Sequence, residues 1–536
     1  MAAKPPNWVL SPIAFDGTRT PVKTALFLIV CFAWLLPGLV GHDPWKTDEA
    51  LAFGAVTEIL RTGNWTSFAI AGEPLQGEPP LFLWTAAALA KLLGGMIPLH
   101  DAARLAAGLY MGATLALLSA ASWELMGERA VRMSVLLLIG CLGLLIRAHE
   151  MTPELAGLAG VALALYGLAL ARRRPWPAGL LTGLGIGVGY LANGPLELGM
   201  LVALLAALPI ASPQWRNRRY LMVAGIALAC TIPFLLAWPP AAMLGDSAPT
   251  TRGVGYFLKQ LTWYAWPAWP LAAWTLYRAR RDFVARTELH LPVVALAVFF
   301  MAVAAFGETR DVALMPLLLP LAIVGVAELD SLPRGAASAL DWFGVMTFFL
   351  MGAMLWVLWG AALTGTPEIA ANYIRRELPG FTYRFSFIAF ALASLLTLVW
   401  VVVVARSLRS TRRALVNWAA GITMVWMLLM TLGVPLVDQA RSYRTVAADL
   451  ARAVPADARC IARRNMGDAQ RALLYYFSNV RTVPSDAPGA EQCGALLLQA
   501  PAQHIPHVEP EWTEVWRGAR TGDKNERFIL YRRGAA

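Results

Sequence analysis

Apolar runs close to the roughly 17–25 residues that a helix needs to cross a bilayer recur along the first 437 positions, broken by short polar loops. Read this way, the chain offers spans at Val22–Val40, Ala103–Glu124, Ser134–Ala148, Pro153–Ala171, Ala178–Ala192, Pro195–Ala211, Leu221–Trp238, Leu261–Tyr277, Leu291–Phe306, Val312–Ala327, Leu340–Leu363, Phe385–Val404 and Leu415–Val434, thirteen in all. The first run is too long for a typical signal-peptide core and no A-x-A-like cleavage site follows it, so it reads as a retained span. A further apolar stretch, Leu81–Ile97, holds Lys91 and follows Pro79-Pro80, and it reads as a helix lying at the interface.

Charge orients these spans. With Leu81–Ile97 at the interface and the N-terminus inside, six loops fall on the inner face: Gly127–Arg132, Arg172–Pro177, Pro213–Tyr220, Arg278–Glu288, Asp330–Arg334 and Arg406–Arg413. They carry most of the loop arginines, among them the triplet Arg172-Arg173-Arg174. If Leu81–Ile97 crossed the membrane, every later loop would invert and those arginines would face outside, against the positive-inside rule. The outer face then holds the first loop (41–102), the turn Arg147–Glu154, the turn Ala192–Pro195, the loop Pro239–Gln260, the turn Gly307–Asp311, the loop Thr364–Arg384 and a tail from Asp438. The long loops are all outside, so chemistry on that face is the simplest reading.

The tail (438–536) changes composition sharply. Helical spacing over Arg441–Val454 and Ala469–Tyr476, with strand-like Cys460-Ile-Ala, Ala495-Leu-Leu-Leu and Arg527–Arg532, predicts a small α/β domain beyond a transmembrane domain over 1–437. The expected fold class is thus an α-helical polytopic membrane protein of about thirteen transmembrane helices, with interfacial helices and a C-terminal periplasmic α/β domain.

Composition agrees. The 536 residues are 58% apolar and 15% charged, with a mean hydropathy of +0.54; a soluble domain averages about 25% charged, so a single water-soluble globule is excluded. The net charge of +11 would suggest nucleic acid in a soluble protein, but here it is a topology signal, and no nucleic-acid partner is expected. Five cysteines are too few for a disulfide scaffold. Cys31, Cys141 and Cys230 lie in apolar runs, whereas Cys460 and Cys493 are either a disulfide of an oxidising compartment or two buried thiols.

Candidate chemistry gathers on the outer face. Asp48-Glu49 stand soon after the first span, where paired carboxylates serve as a general base or cation ligands, or simply open a surface helix after Thr47. Glu78 precedes Pro79-Pro80, a rigid helix start, with Trp84 placed for the aromatic belt. His149-Glu150 near Glu154 forms a carboxylate cluster that leaves room for a divalent cation without regular ligand spacing. Trp263, Trp266 and Trp269 read as packing or interface anchors, or as guides for a polyprenyl chain.

Asp48-Glu49 after the first span, Pro79-Pro80-Leu81-x-x-Trp84, Arg104 at the next span, Leu191-Ala-Asn-Gly-Pro195, and Arg310 before Leu314-Met-Pro-Leu-Leu-Leu-Pro320 together resemble the C-type membrane glycosyltransferases. The resemblance is to the dolichyl-phosphate-mannose protein mannosyltransferases and their bacterial relatives, and within them to the lipid A 4-amino-4-deoxy-L-arabinose transferases. It rests on the order and placement of these segments along the whole chain. It implies an inverting sugar transfer from a polyprenyl-phosphate donor to lipid A or another envelope glycan, at the periplasmic face of the bacterial inner membrane. Asp48, with Glu49, would be the base. Arg104, Arg252, Lys259 and Arg310, with Tyr264 and Tyr256, would hold the carrier phosphate, and Glu78, Glu154 and Asn193 would complete the substrate site. Relatives usually carry an acidic residue and Lys where this chain has Gly77 and Glu78, Lys at Asn193, Asp at Glu154 and Tyr at Val312, so a different donor or acceptor, other cations, or reduced activity is implied. Two other classes compete. A lipid-linked sugar transporter or flippase would need ionisable residues at mid-depth and repeated halves; neither is evident, Glu124 being the nearest exception. A weakened relative that only binds lipid-linked sugar would be indifferent to Asp48.

Overall fold

A computed structural model describes residues 21–243, 253–307, 310–407, 410–523 and 525–534. Every predicted span overlaps helix along at least part of its length. Among the described residues six helices are long and apolar enough to cross a membrane, the longest single ones being Leu99–Met126 and Arg334–Thr364, and shorter apolar helices stand among them. The chain is a multi-pass helical membrane protein.

Two predicted spans are broken rather than continuous. Ser134–Ala148 becomes the helix Glu128–Ile139, an irregular link, and the short helix Leu144–Arg147. Leu261–Tyr277 becomes Gly253–Tyr264 and Ala268–Ala279. The two breaks satisfy one another. The Leu142 amide donates to the Trp266 carbonyl at 3.1 Å and the Gly143 amide to the Tyr264 carbonyl at 2.9 Å, so the backbone groups freed by Pro267 and the link are paired inside the bundle, as lipid depth requires. A Cβ at Gly143 would run into the Tyr264 ring; only glycine admits this contact.

The arginine-rich loops meet at one end of the bundle. Arg172 donates to Gln214 and Thr287, Arg173 pairs with Glu124, Arg286 with Glu328 and Arg412 with Asp330, while Arg129, Arg286 and Arg412 line one hollow. At the opposite end the first loop folds into the helices Asp48–Thr62 and Pro80–Leu93 and a ribbon of β1 (Ala69–Ile70) and β2 (Glu73–Pro74). Pro80 opens its helix as expected. Phe53, Phe82, Ala86, Ala87 and Ala103 close a small core between these helices and Leu99–Met126.

The tail is an α/β unit. Its sheet has the order β4-β3-β5-β7-β6, built from β3 (Ile461–Arg464), β4 (Val483–Pro484), β5 (Ala495–Pro501), β6 (Trp512–Gly518) and β7 (Glu526–Arg533). β4, β3 and β5 are parallel and the other pairings antiparallel. Cys460 and Cys493 are joined by a disulfide, which decides between the two readings left by the sequence. The tail is bolted to the first loop: Asp43 pairs with Arg444, Lys46 with Glu526 at 3.1 Å, and Glu73 with Arg463 and Arg471. Ala50 belongs to the tail's own core, and a Cβ on Gly54 would meet Ala472 at 2.6 Å. The helix that begins at Asp48 is therefore held from both sides.

Candidate active site

Asp48 and Glu49 open the helix Asp48–Thr62, where the helix dipole favours carboxylates. The Thr47 side chain makes no capping bond; the two carboxylates are committed elsewhere, and in opposite directions. Glu49 turns inward. Its Oε2 accepts from the Trp45 amide at 2.9 Å and its Oε1 from Arg104 Nε at 2.6 Å. Arg104 is wholly buried, its remaining nitrogens donating to Asp101 at 2.8 Å and to the carbonyls of Leu39, His42 and Asp43. Burial works against the charge on Glu49, but Arg104 and His42 outweigh it and hold the carboxyl below its usual range. This pair braces the loop, and neither member reaches the surface where a carrier phosphate would arrive.

Asp48 turns outward. Its Oδ2 lies 3.0 Å from Arg310 Nη2 and 3.2 Å from Arg147 Nη1. Arg310 also meets Glu154 at 3.1 Å. Arg147 meets Glu150 at 2.8 Å and Asp311 at 2.9 Å. The result is an arginine–carboxylate cluster assembled from four segments: the start of Asp48–Thr62, the turn after Leu144–Arg147, the start of Glu154–Leu170, and the turn before Met315–Ala327. Arg310 is its most open member, with 41% of its side chain exposed. Burial raises the Glu150 carboxyl; Arg147 opposes the rise, but Glu49 and Asp48 add to it, and the net shift is upward.

The other predicted residues distribute around this cluster. Tyr264 is completely buried, its hydroxyl unpaired among the described residues, with Asp311, Arg147 and Glu154 as charged neighbours. Asn193, half-buried, donates to the buried Glu197 at 2.5 Å, and the pair packs against Gly157 on the Glu154 helix. Glu78 is half-buried just before Pro79-Pro80, and Lys259 is exposed on Gly253–Tyr264. Arg252 lies outside the described residues. Arg147 and Asp311 were not singled out by the sequence. Their only signal is position, an arginine and a carboxylate at opposite turns of the outer face, which reads equally as membrane-edge charge. Among the described residues no group of three or more His, Cys, Asp and Glu side chains is arranged to hold a metal ion; the carboxylates here are bound by arginine instead.

Fold and site together define a helical membrane protein with a carboxylate–arginine cluster and an α/β tail seated on the loop that carries Asp48. Residues 77–238 match the family model described as dolichyl-phosphate-mannose-protein mannosyltransferase. Undecaprenyl phosphate-alpha-4-amino-4-deoxy-L-arabinose arabinosyl transferase 1 of Pseudomonas fluorescens is 26% identical over 351 residues, a match covering 60% of this chain and 62% of that protein's length. Among solved structures, ArnT from Cupriavidus metallidurans bound to undecaprenyl phosphate superposes with a TM-score of 0.69 at 16% identity, over 96% of this chain and 98% of that one. Its apo state gives 0.67 at 15% identity, over 95% and 98%. The fold is shared over nearly the full length, and the family resemblance read from the sequence is borne out.

Proposed function

We propose that the chain is a polyprenyl-phosphate-sugar-dependent glycosyltransferase of the bacterial inner membrane, acting on lipid A or a similar envelope glycolipid at the periplasmic face. The observation that carries this reading is the contact of Asp48 with Arg310 in a half-open cluster, a proton acceptor within one hydrogen-bond length of a cation suited to phosphate. Asp48 takes the proton of the acceptor hydroxyl as its oxygen attacks the anomeric carbon. The bond from that carbon to the carrier phosphate breaks, and the phosphate leaves with its charge met by Arg310, assisted by Lys259 and Arg252, because a phosphate leaving group needs cations more than protonation. One direct displacement inverts the anomeric centre.

The thirteen-span topology, with a cytoplasmic N-terminus and a periplasmic tail, belongs to the same proposal. It is supported by the gathering of the arginine loops at the end opposite the cluster and by the disulfide in the tail, which suits an oxidising compartment. The relatives supply the donor class: one is named for undecaprenyl-phosphate-linked aminoarabinose and one was solved with undecaprenyl phosphate. Mass spectrometry of lipid A and total envelope glycans from a deletion strain, with and without the restored gene, tests the acceptor. Loss and recovery of one sugar mass is expected; an unchanged set of glycans under inducing conditions would favour a relative that only binds lipid-linked sugar.

A further inference from the structure

Arg147 meets three carboxylates of the cluster. Its Nη1 lies 3.2 Å from Asp48 Oδ2 and 2.8 Å from Glu150 Oε2. Its Nη2 and Nε lie 2.9 and 3.4 Å from the two Asp311 oxygens. One guanidinium therefore ties three segments together: the first turn of the Asp48 helix, the turn between two spans, and the turn that presents Arg310. The backbone beneath it is itself anchored, because the short helix Leu144–Arg147 begins beside the link whose Gly143 amide is bonded to Tyr264. All three nitrogens of the fork are engaged by carboxylates.

We propose that Arg147 is the positioning residue of the transfer site: it sets the distance between Asp48, which receives the acceptor's proton, and Arg310, which meets the carrier phosphate, and it does so without touching the phosphate. The inference rests on the glycosyl-transfer reading and adds to it a division of labour between the two arginines. Arg147 fixes geometry through Asp48 and Asp311, whereas the more exposed Arg310 binds. A displacement of about 1 Å in such a constellation costs on the order of a hundredfold in rate, so a geometric role appears in turnover rather than in donor affinity. Lysine would keep one charge but cannot span three carboxylates with a planar fork.

The test uses the full-length protein in lipid nanodiscs, with undecaprenyl phosphate as binding probe and undecaprenyl-phosphate-linked 4-amino-4-deoxy-L-arabinose with lipid A for turnover. Each variant is first checked for monodispersity and thermal unfolding. Arg147→Gln is expected to lower turnover at saturating donor about 10- to 100-fold while undecaprenyl phosphate affinity stays within about threefold; Arg147→Lys should recover part of the turnover. Arg310→Gln should do the reverse, weakening the probe. If Arg147→Gln weakens the probe as Arg310→Gln does while turnover at saturation is normal, Arg147 is a phosphate ligand and the proposal is wrong. Wild-type behaviour in both measurements also overturns it. Should Asp48→Asn turn over normally, the site reading itself fails, whatever Arg147 does.

Discussion

Arg310 Nη2 stands 3.0 Å from Asp48 Oδ2 although the two residues are far apart in sequence and belong to different turns. The proposed proton acceptor and the proposed phosphate-gripping cation therefore share one contact. Asp48 and Arg310 were both named from the sequence; their contact is what the fold adds.

Arg310→Ala should weaken the carrier lipid. A hydrogen bond to a charged group is worth about 1.5–3 kcal/mol, and the exposure of Arg310 places it at the lower end. The expected result is a roughly tenfold rise in the dissociation constant for undecaprenyl phosphate, read by titration in nanodiscs. An unchanged constant would move phosphate binding to other cations.

Glu49→Gln and Arg104→Leu should act on stability. Removing one partner of a buried ion pair costs about 3–5 kcal/mol because the other charge is left buried without compensation. Thermal unfolding in detergent should fall clearly for each variant, while Asp48→Asn, which alters a half-open group, stays close to wild type. Equal unfolding temperatures for all three would contradict the bracing role assigned to Glu49.

The seat of the tail on the first loop should depend on pH through Glu73. Burial would raise its carboxyl, but Arg463 and Arg471 outweigh burial and hold it below its ordinary value of 4.5. A carboxylate depressed in the folded state stabilises fully above its unfolded value, and that contribution fades as pH falls through the lower, folded one. The unfolding-temperature gap between wild type and Glu73→Gln should thus be constant from pH 7 to about pH 5 and shrink below that. The gap is modest, since Glu73 keeps 32% of its side chain exposed. A gap that widens on acidification would refute the assignment.

Much of this architecture was legible because membrane helices announce themselves by length and their loops by arginine. Charge and the preceding Pro79-Pro80 set Leu81–Ile97 apart from the spans, and the helix found there, Pro80–Leu93, is short and packs on the first loop and on the opening turns of Leu99–Met126. The breaks at Gly140–Gly143 and Ala265–Pro267 carry local signals, two glycines and a proline, but the apolar runs continue through them, and each break is met in hydrogen bonds by the other. In the tail, β6 was missed because its burial pattern is that of an exposed edge strand. Glu49 and Arg104 illustrate the limit at the site. Nothing local distinguishes Asp48 from Glu49, and only the buried partner 55 positions away separates the brace from the proposed base.

The most direct test of the central claim is turnover by the purified full-length protein, wild type against Asp48→Asn, with the polyprenyl-phosphate-linked sugar and the acceptor that the glycan comparison of the deletion strain identifies, followed by mass spectrometry of the product. Loss of a general base costs on the order of a hundredfold or more. The account predicts at least that fall for Asp48→Asn, with an unfolding temperature and undecaprenyl phosphate affinity near those of wild type. Wild-type turnover by Asp48→Asn would contradict it.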